Sequence, residues 1–201
     1  MKITDFKNFA WLNESAIRFE NDRMIITAPP KSDFFYNNGA VADDGITPES
    51  LSNAAYYYTE IEGDFVMKVK VEHEFKDTYD SAAIMIMKDL NVYAKSCFEK
   101  TDFNTHAVVS VVTNNTSDDA NGVNIDGNSA WLQVCRVGDS FAFHYSTDGE
   151  NFYMMRFFNL PVEKTIKAGF VAQAPTGSGG DRIFSNFSLE KKRVANIRFG
   201  K

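Results

Sequence analysis

Apolar and polar residues alternate in short runs along most of this chain. In residues 65–72 every second residue is apolar, and most of the intervening residues are charged. Side chains two apart on a strand share a face, so this pattern predicts a half-buried β-strand. Turn signals such as Gly63-Asp64, Gly138-Asp139 and Asp148-Gly149 separate similar runs. The pattern predicts roughly a dozen short strands, with a helical turn expected at most at residues 47–55.

The spacing of these strands predicts an all-β protein made of two packed antiparallel sheets. The chain has 201 residues, of which 44% are hydrophobic, enough for a substantial core. Its five prolines and twelve glycines are spread among turns, and no repeat or linker divides it. We therefore expect a single domain, residues 1–201.

Residues 79–99 contain two strand-like runs joined by a short polar turn. In the second run Tyr93, Lys95 and Glu99 share one face, and Phe98 points to the other, into the expected core. A strand face that combines a tyrosine, a lysine and a glutamate is either an exposed outer face or the floor of a groove. The sequence leaves both open.

Residues 114–128 are rich in Asp and Asn and are predicted to be a loop. At about fifteen residues this loop is longer than ordinary connections, and long loops in compact domains are often binding loops. A mobile segment without function is the other interpretation.

Charge and composition exclude several classes of function. The net charge of −6 argues against a broad grip on nucleic acid, because that affinity depends on Lys and Arg. No apolar run reaches the ~20 residues needed to span a bilayer, and the first residues do not form a secretory signal. Cys97 and Cys135 are too few for a disulfide framework, so we expect reduced, buried thiols in a cytoplasmic protein without nucleic-acid or membrane partners.

An ordered set of short motifs extends over nearly the whole chain. These are Ala28-Pro-Pro-Lys-Ser-Asp-Phe-Phe35, Gly63-Asp-Phe65, Tyr79-Asp80, Ile84-Met85, residues 91–99, Trp131-Leu132, Arg136, Tyr145-Ser-Thr-Asp-Gly149, and residues 169–173 followed by Pro175 and Gly177. In this order and at these separations they resemble the domain of unknown function family 1349, which belongs to the concanavalin-A-like lectin and glucanase superfamily.

The resemblance implies a concanavalin A-like jelly-roll sandwich of two curved antiparallel sheets, with its core at about residues 11–189. Relatives in the superfamily hold sugars on the concave front sheet, while the closer family has no established reaction. Some of its members carry a label that refers to regulation of a glycolytic enzyme. The chain departs from the family pattern at Tyr93, where tryptophan is common, and at Cys97, where glycine is common, so the groove floor is expected to differ in shape.

Hydrolysis of a glycoside is one candidate chemistry. A retaining glycosidase needs two carboxyls about 5 Å apart. The Glu-x-Asp-x-x-Glu motif of the superfamily's glucanases is absent. Asp80 and Glu99 are the best candidate pair, because they lie next to adjoining strands of one predicted hairpin. Lys95 on the same face could instead neutralise Glu99 in a cross-strand ion pair.

Binding of a carbohydrate or another small polar ligand requires less. An aromatic ring stacks on the apolar face of a sugar, and polar groups bind its hydroxyls. Tyr93, Trp131 or Trp11 could supply the ring. The expected polar contacts are Asp33, Asp80, Lys95, Glu99 and Gln173.

We expect no cofactor and no metal, because the three histidines occupy different strands without ligand spacing and no phosphate-binding glycine loop is present. A third hypothesis is a protein-interaction module with a regulatory role in carbohydrate metabolism, with a homodimer as one possible assembly. The three hypotheses remain open at this point.

Overall fold

The structure is a computed structural model that describes residues 2–3, 6–39 and 50–201. These residues form strands and turns, and no helix long and apolar enough to cross a membrane occurs among them. The strands are β1 (Lys2–Ile3), β2 (Ala10–Leu12), β3 (Ile17–Glu20), β4 (Arg23–Ala28), β5 (Phe34–Phe35), β6 (Leu51–Ser52), β7 (Ala55–Glu62), β8 (Phe65–His73), β9 (Ser81–Asp89), β10 (Val92–Lys100), β11 (His106–Asn114), β12 (Thr116–Asn124), β13 (Ser129–Val137), β14 (Ser140–Ser146), β15 (Tyr153–Asn159), β16 (Thr165–Gln173) and β17 (Gly180–Glu190).

Two large antiparallel sheets pack face to face. The front sheet has the strand order β12-β11-β10-β9-β16-β7-β2. The back sheet has the order β15-β14-β13-β8-β17-β4-β3, and β1 also pairs with β17. Strands β5 and β6 form a separate short pair. The predicted all-β sandwich is confirmed.

The main core lies between the two sheets and follows from the alternation in the sequence. The inward-pointing, fully buried side chains include Met67, Val69 and Val71 of β8, Ile84 of β9 and Phe98 of β10. Burying a large apolar side chain contributes about 1.5–3 kcal/mol, so these inward rows hold the sheets together.

A second apolar cluster lies on the outer face of the front sheet. It contains Phe34, Tyr56, Met85, Tyr93 and other fully buried side chains. Phe34 of β5 and the following Tyr36 pack on this part of the sheet, so the central strands are buried on both faces. This double burial explains why both alternating sets of residues 82–87 are apolar.

Two sequence-based predictions about secondary structure need correction. Residues 114–128 are not one long loop, because β12 pairs antiparallel with β11 and forms the edge of the front sheet. The strand was missed because its side chains are polar and largely exposed, as is common for strands that must not pair further. Of the helical turn expected at residues 47–55, positions 47–49 lie outside the described residues, and the part that follows contains β6 and the start of β7.

Candidate ligand pocket

The register of the front sheet places polar side chains from different strands on its outer face. Lys95 of β10 lies opposite Val111 of β11 on one side and Met85 of β9 on the other. Four residues along, Glu99 lies opposite Ser81, which in turn lies opposite Gln173 of β16. Directly opposed residues share a face, so these polar groups converge on one side of the sheet.

A pocket of about 340 Å³ opens at this place. Its walls come from β10, β11, β12 and β16, from the segment around β5, and from the turns that flank the β9–β10 hairpin. The lining residues are Asp33, Phe35, Tyr79, Lys95, Glu99, Asp102, Val109, Val111, Asp119, Asn121 and Gln173.

A buried ion pair forms one wall of the pocket. Lys95 is only 1% exposed, and its Nζ donates to Asp33 Oδ1 at 2.5 Å and to Gln173 Oε1 at 2.8 Å. The same Asp33 oxygen accepts from the backbone N–H of Phe34 at 2.7 Å. Burial is the largest single effect and opposes the charge of Lys95, but the attraction of the Asp33 carboxylate, its hydrogen bond and the contributions of Cys97 and Tyr93 together raise the pKa of the ammonium group above its ordinary value. The ammonium group of Lys95 is therefore held in position and neutralised by Asp33 without a ligand.

Glu99 is buried but unpaired. It is 7% exposed, lines the pocket, and forms neither a hydrogen bond nor an ion pair with any of the described residues. Burial raises the pKa of its carboxyl to about 8, although the charge of Lys95 opposes that increase. At neutral pH the carboxyl is mostly protonated, so it can donate one hydrogen bond and accept others.

Two further carboxyls line the pocket near its opening. Asp119 projects from β12, and burial raises its pKa above the ordinary value. Asp102 follows β10 in the connection to β11. Asn121 lies two residues beyond Asp119 on the same strand. The sequence analysis missed these residues as site residues because it assigned β12 to a loop; the Asn114-Asn115 doublet, a turn signal after a β-branched run, could have revealed the hairpin.

Tyr93 lies beneath the pocket rather than at its surface. Its side chain is 0% exposed and packs edge-on against Phe34, with ring centroids 5.9 Å apart. It therefore cannot present a face to a sugar, contrary to the prediction from alternation. Phe35 and Tyr79 are the aromatic residues that line the pocket.

The two tryptophans also lie away from the pocket. Trp131 is on β13 of the back sheet, between Lys70 and Ser146, and alternates with the core residues Ala130 and Leu132, so it points out of the other side of the sandwich. Trp11 lies on β2 at the edge of the front sheet and packs against the main core. The expectation that either residue shares a site with Lys95 is wrong, because the sequence does not show which sheet a strand joins.

Asp80 lies on the face of the front sheet that is opposite to the face of Glu99. Ser81 is opposite Glu99, so alternation turns the preceding Asp80 to the other face of the sheet. There its Oδ1 lies 3.1 Å from Nη2 of Arg182, a buried residue of β17. Its Oδ2 accepts from the backbone N–H groups of Lys76 and Asp77. The predicted catalytic pair of Asp80 and Glu99 is therefore wrong, since these carboxyls face opposite sides of the front sheet.

Within residues 6–39 and 50–201, no three His, Cys, Asp or Glu side chains are grouped so that they could hold a metal ion.

The sheet order, the packing and the outer-face pocket define a concanavalin A-like β-sandwich. Residues 11–192 match the family described as "Protein of unknown function (DUF1349)", and the chain belongs to this family.

The similar proteins include one with a curated name. "Regulation of enolase protein 1" of Saccharomyces cerevisiae is 25% identical over 193 residues, which cover 94% of this chain and 92% of the yeast protein.

Two solved structures show the same fold. A functionally unknown protein from Saccharomyces cerevisiae superimposes with a TM-score of 0.82 at 24% identity, covering 95% of this chain and 100% of its own. The carbohydrate binding module CBM66 from Bacillus subtilis superimposes with a TM-score of 0.60 at 10% identity, covering 94% and 99%. At these identities the likeness concerns the fold alone.

Proposed function

We propose that this protein binds a small carbohydrate or a similar polyhydroxylated ligand in the pocket on the outer face of its front sheet. The observation that carries the proposal is Glu99, a carboxyl that is almost fully buried, has no hydrogen-bond or ion-pair partner among the described residues and lines a pocket of about 340 Å³. Buried polar groups are nearly always hydrogen-bonded, so an unpaired one that faces a pocket favours a ligand as its partner.

The chemistry of the pocket suits hydroxyl groups. Sites for small molecules combine apolar or aromatic walls with a few fixed polar groups, in volumes of about 300–1,000 Å³. Here Phe35 and Tyr79 supply the aromatic part, and Lys95, Gln173 and Glu99 supply donors and acceptors. The pocket lies at the lower end of this range of volumes, which suits one or two sugar rings.

The name of the CBM66 structure supports the same proposal. That protein is a carbohydrate binding module, and its fold superimposes on 94% of this chain. The fold is therefore compatible with sugar binding without any hydrolytic machinery, and the loss of the Asp80–Glu99 pair removes the observation that favoured hydrolysis.

The test is calorimetry and thermal unfolding of the purified protein with a panel of mono- and disaccharides. A sugar at a hundred times its dissociation constant should stabilise the protein by about 2.7 kcal/mol. Asn121→Trp, which places a large ring at the pocket rim, should abolish this effect. Val123→Trp is the matched control, because it is an exposed position on the same strand that does not line the pocket. Binding that survives Asn121→Trp, or no binding by any sugar to the folded protein, would refute the proposal.

A second candidate is a regulatory interaction in carbohydrate metabolism, which the name of the yeast relative favours. Sedimentation of this chain mixed with purified enolase, with and without a sugar from the panel, tests it directly. A complex that forms would support this candidate, and sedimentation as two separate species in both mixtures would count against it.

A further inference from the structure

The charges that line the pocket are not balanced. Among the described residues, its walls carry four carboxyls and one ammonium group, and Lys95 is already paired with Asp33. Glu99, Asp102 and Asp119 form no ion pair with any basic side chain of the described residues. The part of the pocket that is available to a ligand is therefore acidic.

We propose that the ligand carries a cationic nitrogen and is an amino sugar, whose ammonium group lies beside Glu99. This inference rests on the proposed function and specifies the class of carbohydrate. Independently of the acidic rim residues, Glu99 is more than nine-tenths buried, faces the pocket and has no hydrogen-bond or ion-pair partner within the part of the chain that the structure describes.

An ammonium group fits this position better than the alternatives. A phosphorylated or carboxylated sugar would meet three carboxyls, while Lys95, the one cation among the described lining residues, is neutralised by Asp33. A neutral sugar could accept a hydrogen bond from protonated Glu99 but would make no use of Asp102 and Asp119. A cation is attracted by all three carboxyls, and most strongly by the buried Glu99, because opposite charges attract more strongly where water is excluded.

This arrangement couples binding to proton release. Glu99 has a pKa of about 8 because it is buried, so at pH 7 it holds a proton that a bound ammonium group would displace. Burial, opposed by Lys95, raises the pKa of Cys97, so that thiol stays neutral, while the raised pKa of Lys95 keeps it charged. The titratable and charged groups that face Glu99 are Lys95 and Cys97 on β10, Asp33 before β5, Asp102 after β10, Asp119 on β12 and the phenol of Tyr79.

Calorimetry with 6-amino-6-deoxyglucose and its parent glucose tests the inference, together with the corresponding galactose pair. Repeating each titration in buffers of different ionisation enthalpy measures the protons released. We expect the amino sugar to bind at least about tenfold more tightly, with release approaching one proton at pH 7. Its affinity should rise by up to about tenfold between pH 6 and pH 7, where the alkyl ammonium group stays charged.

Glu99→Gln should remove both the preference and the proton release, so that the variant binds each amino sugar no more tightly than its parent sugar. Glu60→Gln, an exposed position on β7, should change neither. An amino sugar that binds no more tightly than its parent would overturn this inference and leave the proposed function standing. Spermidine binding as tightly as the amino sugars would instead overturn the carbohydrate part and retain the cation.

Discussion

Replacing Lys95 by Met tests whether the buried ion pair is a structural wall of the pocket. Methionine keeps most of the volume of the side chain and removes its charge, so the change leaves Asp33 buried opposite an apolar group. At the observed 2.5 Å contact and an effective dielectric constant of about 20, the attraction is about 7 kcal/mol before desolvation is subtracted. Breaking one partner of such a pair commonly costs about 3–5 kcal/mol.

The protonation of Asp33 sets an upper limit to this cost. An unpaired buried aspartate can take up a proton, and at pH 7 this costs about 4 kcal/mol for an ordinary aspartate pKa of about 3.9. At pH 5 the same limit falls to about 1.5 kcal/mol. We therefore expect Lys95→Met to lower the free energy of unfolding by about 3–4 kcal/mol at pH 7, and by less than half of this at pH 5.

Urea unfolding followed by circular dichroism at pH 5, 6 and 7 measures this difference between the variant and the parent protein. The double variant Asp33→Asn/Lys95→Met should recover at least about 2 kcal/mol of the loss at pH 7, because it leaves no unpaired charge. Lys164→Met is the control, since that lysine pairs with Glu62 on the exposed surface and should matter far less. A cost below about 1 kcal/mol at pH 7, or one that does not fall with pH, would refute the reasoning.

Two further substitutions and one labelling experiment test the same structure. Burial raises the pKa of Glu99 from 4.5 to about 8, so the stability contributed by its protonated form is fully present below pH 4.5 and is lost as the pH rises to 8. Glu99→Gln should therefore become more stable than the parent protein as the pH rises, by up to about 4 kcal/mol at pH 8. A difference in urea unfolding free energy that stays constant with pH would contradict this. Gly169→Ala would place a Cβ 2.2 Å from the carbonyl oxygen of Tyr57 and should cost at least about 2 kcal/mol by urea unfolding, whereas an unchanged midpoint would show that the strands can separate. Burial raises the pKa of the Cys97 and Cys135 thiols, so Ellman's reagent should label them only after unfolding, and labelling of the native protein within seconds would contradict their burial.

The alternation of apolar residues was sufficient to predict the class of fold and the faces of β10. Lys95 and Glu99 share the outer face, and Phe98 points into the main core, as expected. Strand pairing within one hairpin follows from sequence because the partners are close along the chain. The register that brings Gln173 next to Ser81 links strands far apart along the chain, and no local pattern in the sequence predicts it.

Whether a side chain is buried was harder to predict than which face of its strand it occupies. Tyr93 faces the predicted side, but the segment at β5 covers it, and no local pattern indicates that a sheet is covered on both faces. Asp80 and Glu99 were paired because their strands are neighbours in one hairpin, but that adjacency does not fix which face a residue occupies, and Asp80 faces Arg182. Trp131 was assigned to the groove because its sheet could not be inferred from residue types.

The two halves of the pocket differ in what a substitution would change. One half contains three buried side chains that hydrogen-bond to one another: Lys95, Asp33 and Gln173. Their side-chain conformational entropy is lost when the protein folds, so binding of a ligand requires no further ordering of these groups. Asp102 and Asp119 are largely exposed at the rim and have no partner to lose among the described residues. Changes in the first group should therefore lower stability whether or not a ligand is present, while changes at the rim should alter ligand preference at nearly constant stability. If Asp119→Asn lowered stability as much as Asp33→Asn, this division would be wrong, and the acidic rim would have to be regarded as part of the fold rather than as the part of the pocket that selects the ligand.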